Sequence, residues 1–418
     1  MFEHANRLFH WSWEAAWAVM MLLLPITSLP LLAHLVGSDM VAAPAAFGLV
    51  WLVLLWFVPY LVRGGKLHPQ AIPFLAFVSV AFISSAAAFF VNVPSLKDRS
   101  LISREFQALV TLGVGTCFYF VVSLFPNTTT RLKTALQWIN VGGFIILAWS
   151  FTQAYYTYTS GNYAPLLSDI QHMISERGLF SGRVTGLAFE PSWLAHQLNM
   201  LYLPLWLAAT VQRYSSYRFR LWRITIENIL LVGGVAVLFL SFSRVGLLGF
   251  LLGIAYLFLE LNGYLIKLIR ARLAKVNLRS QRMQRLVRAL SSGLLIVIFL
   301  VVYVSMAFGV VYGASQYDAR LANLFKKPDQ IANVFQYANQ LYFAERMVYW
   351  AAGWNIFGEH PIIGVGLGNA GFYFQNKFRI YAWSLVEINL LMDHSNYLPN
   401  TKALWVRLLT ETGLVGFA

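Results

Sequence analysis

At 418 residues the chain is long enough for two or three soluble domains, but 58% hydrophobic against 11% charged residues and a mean hydropathy of +0.61 exclude that organisation. The net charge of +14 is scattered between apolar runs rather than gathered on one water-exposed face, which excludes nucleic acid as a partner. The single cysteine, Cys117, excludes an intramolecular disulfide framework and any multi-cysteine metal site.

Runs able to cross the roughly 30 Å of bilayer hydrocarbon need about 20 apolar residues. They fall at 14–36, 41–62, 71–93, 105–125, 134–156, 186–211, 225–242, 245–260 and 289–312, and a tenth begins near 403. The first is read as a retained helix, because it leads into the second without a small-residue cleavage pattern. The predicted fold is an all-α integral membrane protein, a polytopic bundle of at least ten transmembrane helices with a large helical loop before the last span. Residues 1–312 form a nine-span bundle, 313–402 an external loop region and 403–418 the start of a further helix, expected to be cut short at Ala418.

Orientation follows from the cations. With the N-terminus inside, the cytoplasmic segments hold 17 of the 31 Lys and Arg, eight of them between Lys267 and Arg288, as the positive-inside rule requires. That stretch reads as a basic amphipathic helix on the anionic inner leaflet. The loop 157–185, the turn 241–244 and the segment 313–402 then share the outer side. The last carries Arg320, Lys326, Lys327, Arg346, Lys377, Arg379 and Lys402, more cations than an outer loop ordinarily holds. Either they bind an anion or they form a solvated face with the six acids interspersed among them.

Within these outer segments, Gly182-Arg183-Val184-Thr185-Gly186-Leu187-Ala188-Phe189-Glu190-Pro191-Ser192 enters the sixth span. Arg183 could grip an anion there, and Glu190 could accept a proton or simply open a helix whose dipole favours a carboxylate. Ser241-Phe242-Ser243-Arg244-Val245-Gly246 is a tight reversal. Arg244 either snorkels to lipid phosphates or makes bidentate contacts to a phosphate or pyrophosphate. Leu341, Phe343, Met347, Trp350, Trp354 and Phe357 predict a half-buried helix inside 340–358 that ends before His360-Pro361. The glycines of Gly364-Val365-Gly366-Leu367-Gly368 are read as a flexible turn, since no βαβ unit surrounds them. His394 is the candidate for proton chemistry, its alternative being a structural histidine. None of the eight histidines stands at a familiar ligand spacing, so no catalytic metal is expected.

Together, Arg346-(x)3-Trp350, His360-Pro361-Ile362-Ile363-Gly364-Val365-Gly366-Leu367-Gly368-Asn369, His394-Ser395-Asn396 and Glu411-Thr412-Gly413-Leu414-Val415-Gly416 resemble the C-terminal signature of the bacterial O-antigen ligase and O-antigen polymerase superfamily. Ser243-Arg244-Val245-Gly246 is similar to its upstream arginine motif. The resemblance covers roughly residues 180–418. It implies a helical inner-membrane glycosyltransferase acting on the periplasmic face without cofactor, metal or nucleotide sugar. Its donor would be an undecaprenyl-pyrophosphate-linked oligosaccharide, and its acceptor another lipid-linked glycan or lipid A core. A chain-length regulator is a candidate partner. The resemblance gives Arg244 and Arg346 to the pyrophosphate and His394 to the acceptor hydroxyl. Arg183 and Glu190 are more similar to the polymerase and exopolysaccharide branches. The gap between His394 and Gly413 is longer than in the ligase signature, so the polymerase is preferred and the ligase is the alternative. A lipid-linked glycan transporter would share the arginines without needing His394.

Overall fold

The computed structural model describes residues 2–32, 43–159, 163–274, 281–325, 337–339, 341, 343–395 and 397–418. Six helices among these are long and apolar enough to cross a membrane: α2 (Ala45–Val62), α3 (Pro69–Ala88), α4 (Leu101–Leu124), α5 (Thr129–Thr159) and the stretches Arg244–Arg272 and Arg285–Ser315. The last two lie within α9 (Arg244–Ala274) and α10 (Gln281–Ser315). The only strands among the described residues are the antiparallel pair Arg220–Leu221 and Ile224–Thr225.

Six is fewer than the ten or more expected, and the residues give the reasons. Helix α1 (Phe2–Leu22) ends in a turn at Leu23–Pro25, so the apolar run from 14 is not one helix; its residues 33–36 lie outside the described residues. After the short α6 (Pro165–Ile174), the run from 186 becomes helical only at Pro191, as α7 (191–211), which includes a π-helical turn at Leu198–Tyr202. His196, Gln197 and Asn199 lower its hydropathy. Helix α8 (Ile226–Leu240) has 15 residues, about 23 Å at 1.5 Å per residue. The final run folds as α14 (Leu404–Phe417), broken at Gly413.

The chain forms two compact units, Met1–Leu52 with Pro126–Ala322, and Val53–Phe125 with Asn323–Ala418. In the first, α5 is the central column. Its buried residues Ala135, Ile139, Gly142, Gly143, Ile146, Leu147, Ser150, Gln153 and Ala154 recur at three- and four-residue spacing and so line one face. Phe144, Ile145 and Phe151 on the other face are exposed, as a lipid-facing surface would be. Close packing comes from small residues. A Cβ at Gly143 or Gly234 would meet the Trp206 ring at 2.5 and 2.6 Å, so these glycines admit the fully buried indole of α7. That indole donates to Asn140 Oδ1 (2.9 Å), and Asn140 Nδ2 in turn donates to Glu227 Oε1 (3.2 Å).

The second unit is built from α3, α4, α11 (Ala344–Glu359), α12 (Ala370–Lys377), α13 (Val386–Asp393) and α14. Helix α11 lies where the periodicity predicts a helix; residues 340 and 342 of the predicted stretch lie outside the described residues. The face it buries differs. Ala344, Val348, Tyr349, Ala352, Gly353 and Ile356 are buried, whereas Trp354 is 58% exposed. The reason is proximity: a Cβ at Gly353 would meet Val406 Cγ1 at 2.7 Å, so only the small-residue face can approach α14.

Candidate functional site

In the first unit the motifs 182–192 and 241–246 meet. Val184 N donates to Leu240 O (3.2 Å), and Arg183 Nε donates to Ser241 O (3.2 Å). The loop is pinned from beneath by Gln153 of α5. Its buried Oε1 accepts from Thr185 N (3.0 Å) and Gly186 N (2.9 Å), while Nε2 donates to Gly186 O (3.1 Å). On the other strand of the turn, Ser243 Oγ accepts from Gly246 N (3.1 Å), capping the start of α9 as a serine at that position does. Asn199 Nδ2 donates to Gly246 O (2.8 Å), and a Cβ at Gly246 would lie 2.3 Å from Ala195 Cβ. The crossing of α7 over α9 therefore requires glycine there.

Arg244 is the first residue of α9. Free main-chain N–H groups and the positive end of the helix dipole are concentrated at such a position. The same features attract anions.

Glu190 precedes α7, but its carboxylate makes no capping hydrogen bond. It pairs instead with Arg177 Nη1 and accepts from Ser192 Oγ (3.1 Å). The Arg177 guanidinium lies 4.7 Å from the centroid of the Phe189 ring, a cation–π distance. Arg177 is a residue that sequence reasoning did not single out.

In the second unit, Arg346 is exposed on the first turn of α11, next to Glu345. His394 is exposed at the C-terminal end of α13, its main-chain N–H donating to Leu390 O (3.1 Å). The ammonium of Lys97 reaches the turn that carries it, donating to the carbonyls of Leu391, Ser395 and Tyr397. Burial pushes the Lys97 ammonium below its ordinary range; the Asp393 carboxylate works against this and Arg99 adds to it. Burial likewise raises the Tyr373 phenol, with Glu359 adding to the effect.

The two glycine motifs also converge. Val365 N donates to Thr410 O and Gly366 N to Glu411 O, both at 3.0 Å, and Leu414 N donates to Pro361 O at 2.9 Å. Residues 361–366 thus lie alongside 410–415, and the loop is not the flexible turn expected. Helix α3 holds it with two hydroxyls: Ser84 Oγ accepts from Gly366 N (3.1 Å) and Ser85 Oγ from Leu367 N (3.2 Å). Helix α4 adds Glu105, 2% exposed, whose Oε1 accepts from Asn369 Nδ2 (2.6 Å). The positive φ of Gly364, Gly366 and Gly368 is the backbone these contacts demand.

The sequence-predicted residues therefore divide between the units, with Arg183, Glu190 and Arg244 in one and Arg346 and His394 in the other. Of the other cations of segment 313–402, Lys326 and Lys327 lie outside the described residues, as does Asn396. Glu105 and Gln153 carried a legible signal, being polar groups inside apolar runs. Lys97 and Arg177, in ordinary polar loops, carried none.

Residues 229–418 match a family model described as O-antigen ligase. No curated protein and no solved structure matches the chain. The matched stretch contains Arg244, Arg346, His394 and both glycine motifs, while Arg183 and Glu190 precede it.

Proposed function

The match assigns residues 229–418 to the O-antigen ligase and polymerase superfamily, and from that premise we propose that this chain is a glycosyltransferase of the bacterial inner membrane. It works on the periplasmic face and uses an undecaprenyl-pyrophosphate-linked glycan as donor. The acceptor is the hydroxyl of another lipid-linked repeat, which makes the enzyme a polymerase of O-antigen or related surface polysaccharide.

A glycan already joined to pyrophosphate carries its own leaving group. The acceptor oxygen attacks the anomeric carbon, the bond from that carbon to the pyrophosphate oxygen breaks, and the configuration inverts. His394 takes the hydroxyl proton. The role proposed for Arg183, Arg244 and Arg346, each taken by itself, is to bind phosphate and stabilise the charge that grows on the leaving group; a glycan so activated calls for neither a metal ion nor a nucleotide sugar. Glu190 helps to order the Arg183 loop through Arg177.

One observation carries this reading. Arg244 and Arg346 both stand on the first turn of a helix, where a guanidinium weakens the helix but strengthens its hold on an anion. The description of the matched family favours a second reading, ligation to lipid A core. The purified chain in a bilayer, given the lipid-linked donor with either lipid A core or lipid-linked repeats, decides between them by which acceptor is extended. Formation of no glycosidic bond, or full activity in His394→Ala, would overturn the proposal.

A further inference from the structure

We infer that Lys97 is a positioning residue for His394, its ammonium fixing the turn that carries the imidazole by gathering the carbonyls of Leu391, Ser395 and Tyr397. The inference rests on the transfer role proposed for His394, but its geometry is independent of that role.

Three observations support it. The acceptors bracket the histidine, with Leu391 three residues before it and Tyr397 three after. An ammonium has three N–H donors, and three carbonyls take them all, which leaves none for a phosphate. Lys97 therefore acts on the chain rather than on the substrate. Second, Lys97 and Asp98 sit at φ 57 and 51, a left-handed conformation that non-glycine residues hold only when their surroundings impose it. The anchor is the preceding residue, Leu96, buried in the unit's core with Val348, Phe372 and Leu398. The strained pair aims the side chain from that fixed point. Third, among the described residues the His394 imidazole makes no hydrogen bond and is exposed, so its place is set by the main chain beneath it.

A base displaced by about 1 Å costs on the order of 100-fold in rate, so loosening this turn lowers kcat and spares donor binding. The test uses the full chain in nanodiscs. Lys97→Met is expected to speed amide hydrogen exchange across 390–398 while 404–417 stays as in the wild type. With the lipid-linked donor, kcat is expected to fall about 10- to 100-fold, with the KM for donor within about twofold. In a His394→Ala background the same substitution is expected to cost nothing further, the signature of two residues acting as one unit. Lys97→Arg keeps a cation but spreads its donors in a plane. It is expected to lose about 10-fold with the same non-additivity, and it decides the matter if Lys97→Met does not fold. Unchanged exchange across 390–398, or undiminished transfer in Lys97→Met while His394→Ala is inactive, would overturn the positioning role alone. Full transfer by His394→Ala would instead sink the proposed function, and with it any catalytic purpose for the clamp, whatever the exchange data show.

Discussion

Arg183 donates through Nε to the main-chain carbonyl of Ser241 across 3.2 Å, which ties a loop entering α7 to the turn that begins α9 with Arg244. If Arg183 and Arg244 bind one anion, as proposed, their substitutions should not act additively. Arg183→Ala and Arg244→Ala are each expected to reduce kcat/KM about 10- to 100-fold, with the double variant losing less than the product. Arg244→Lys should recover only part of the loss, because an ammonium lacks the planar fork that fits a phosphate. Initial rates at varied donor concentration measure all four, and strict additivity would separate the two arginines.

The carboxylate of Glu190 is joined to Arg177, and both side chains are partly exposed, so the pair contributes at most about 1 kcal/mol to stability. If Glu190 serves to order its loop, Arg177→Met should reproduce the transfer defect of Glu190→Gln. An inactive Glu190→Gln beside a fully active Arg177→Met would instead assign Glu190 a proton-transfer role of its own. The comparison needs only relative rates at matched protein amounts.

Asn369 satisfies a buried carboxylate of α4 through a 2.6 Å hydrogen bond to Glu105. Asn369→Ala leaves that oxygen without its donor and should cost about 1–3 kcal/mol, read as a lowered thermal midpoint in detergent. Asn369→Asp sets two carboxyl groups against each other and should be more damaging than alanine. An unchanged midpoint in both would show that Glu105 does not depend on this partner.

Gly413 adopts φ 64 and ψ −166 within α14, and a Cβ there would lie 2.2 Å from the carbonyl oxygen of Ile362. The contact is with main chain and cannot be relieved by a rotamer change. Gly413→Ala is expected to cost about 1–3 kcal/mol from the conformation alone, and more from the clash. Recovery of monodisperse protein on size exclusion checks this, while Gly263→Ala, whose Cβ would meet nothing within 4 Å, is expected to behave as the wild type.

The candidate residues were legible one motif at a time. The arginines, the histidine and the glycine runs could be named because each stands out from its apolar neighbours. Their partners could not be. Glu105 lies 264 residues from Asn369 and Ser84 lies 282 from Gly366, and no local pattern announces which hydroxyl will meet which amide. The helix within 340–358 was readable from its period, yet its buried face was not, because large aromatics signal burial and the close approach of α14 required small residues instead.

Hydropathy sums over about 20 neighbouring residues, so the linear order of amino acids was enough to establish a helical membrane protein, the short charged turns between its spans and the residue types able to grip an anion. Only the folded chain decided that Arg183 reaches Ser241, that Arg177 rather than a helix end holds Glu190, and that Lys97 grips the turn of His394. Hydrogen bonds act over about 3 Å, and atoms so far apart along the backbone come that close only through packing.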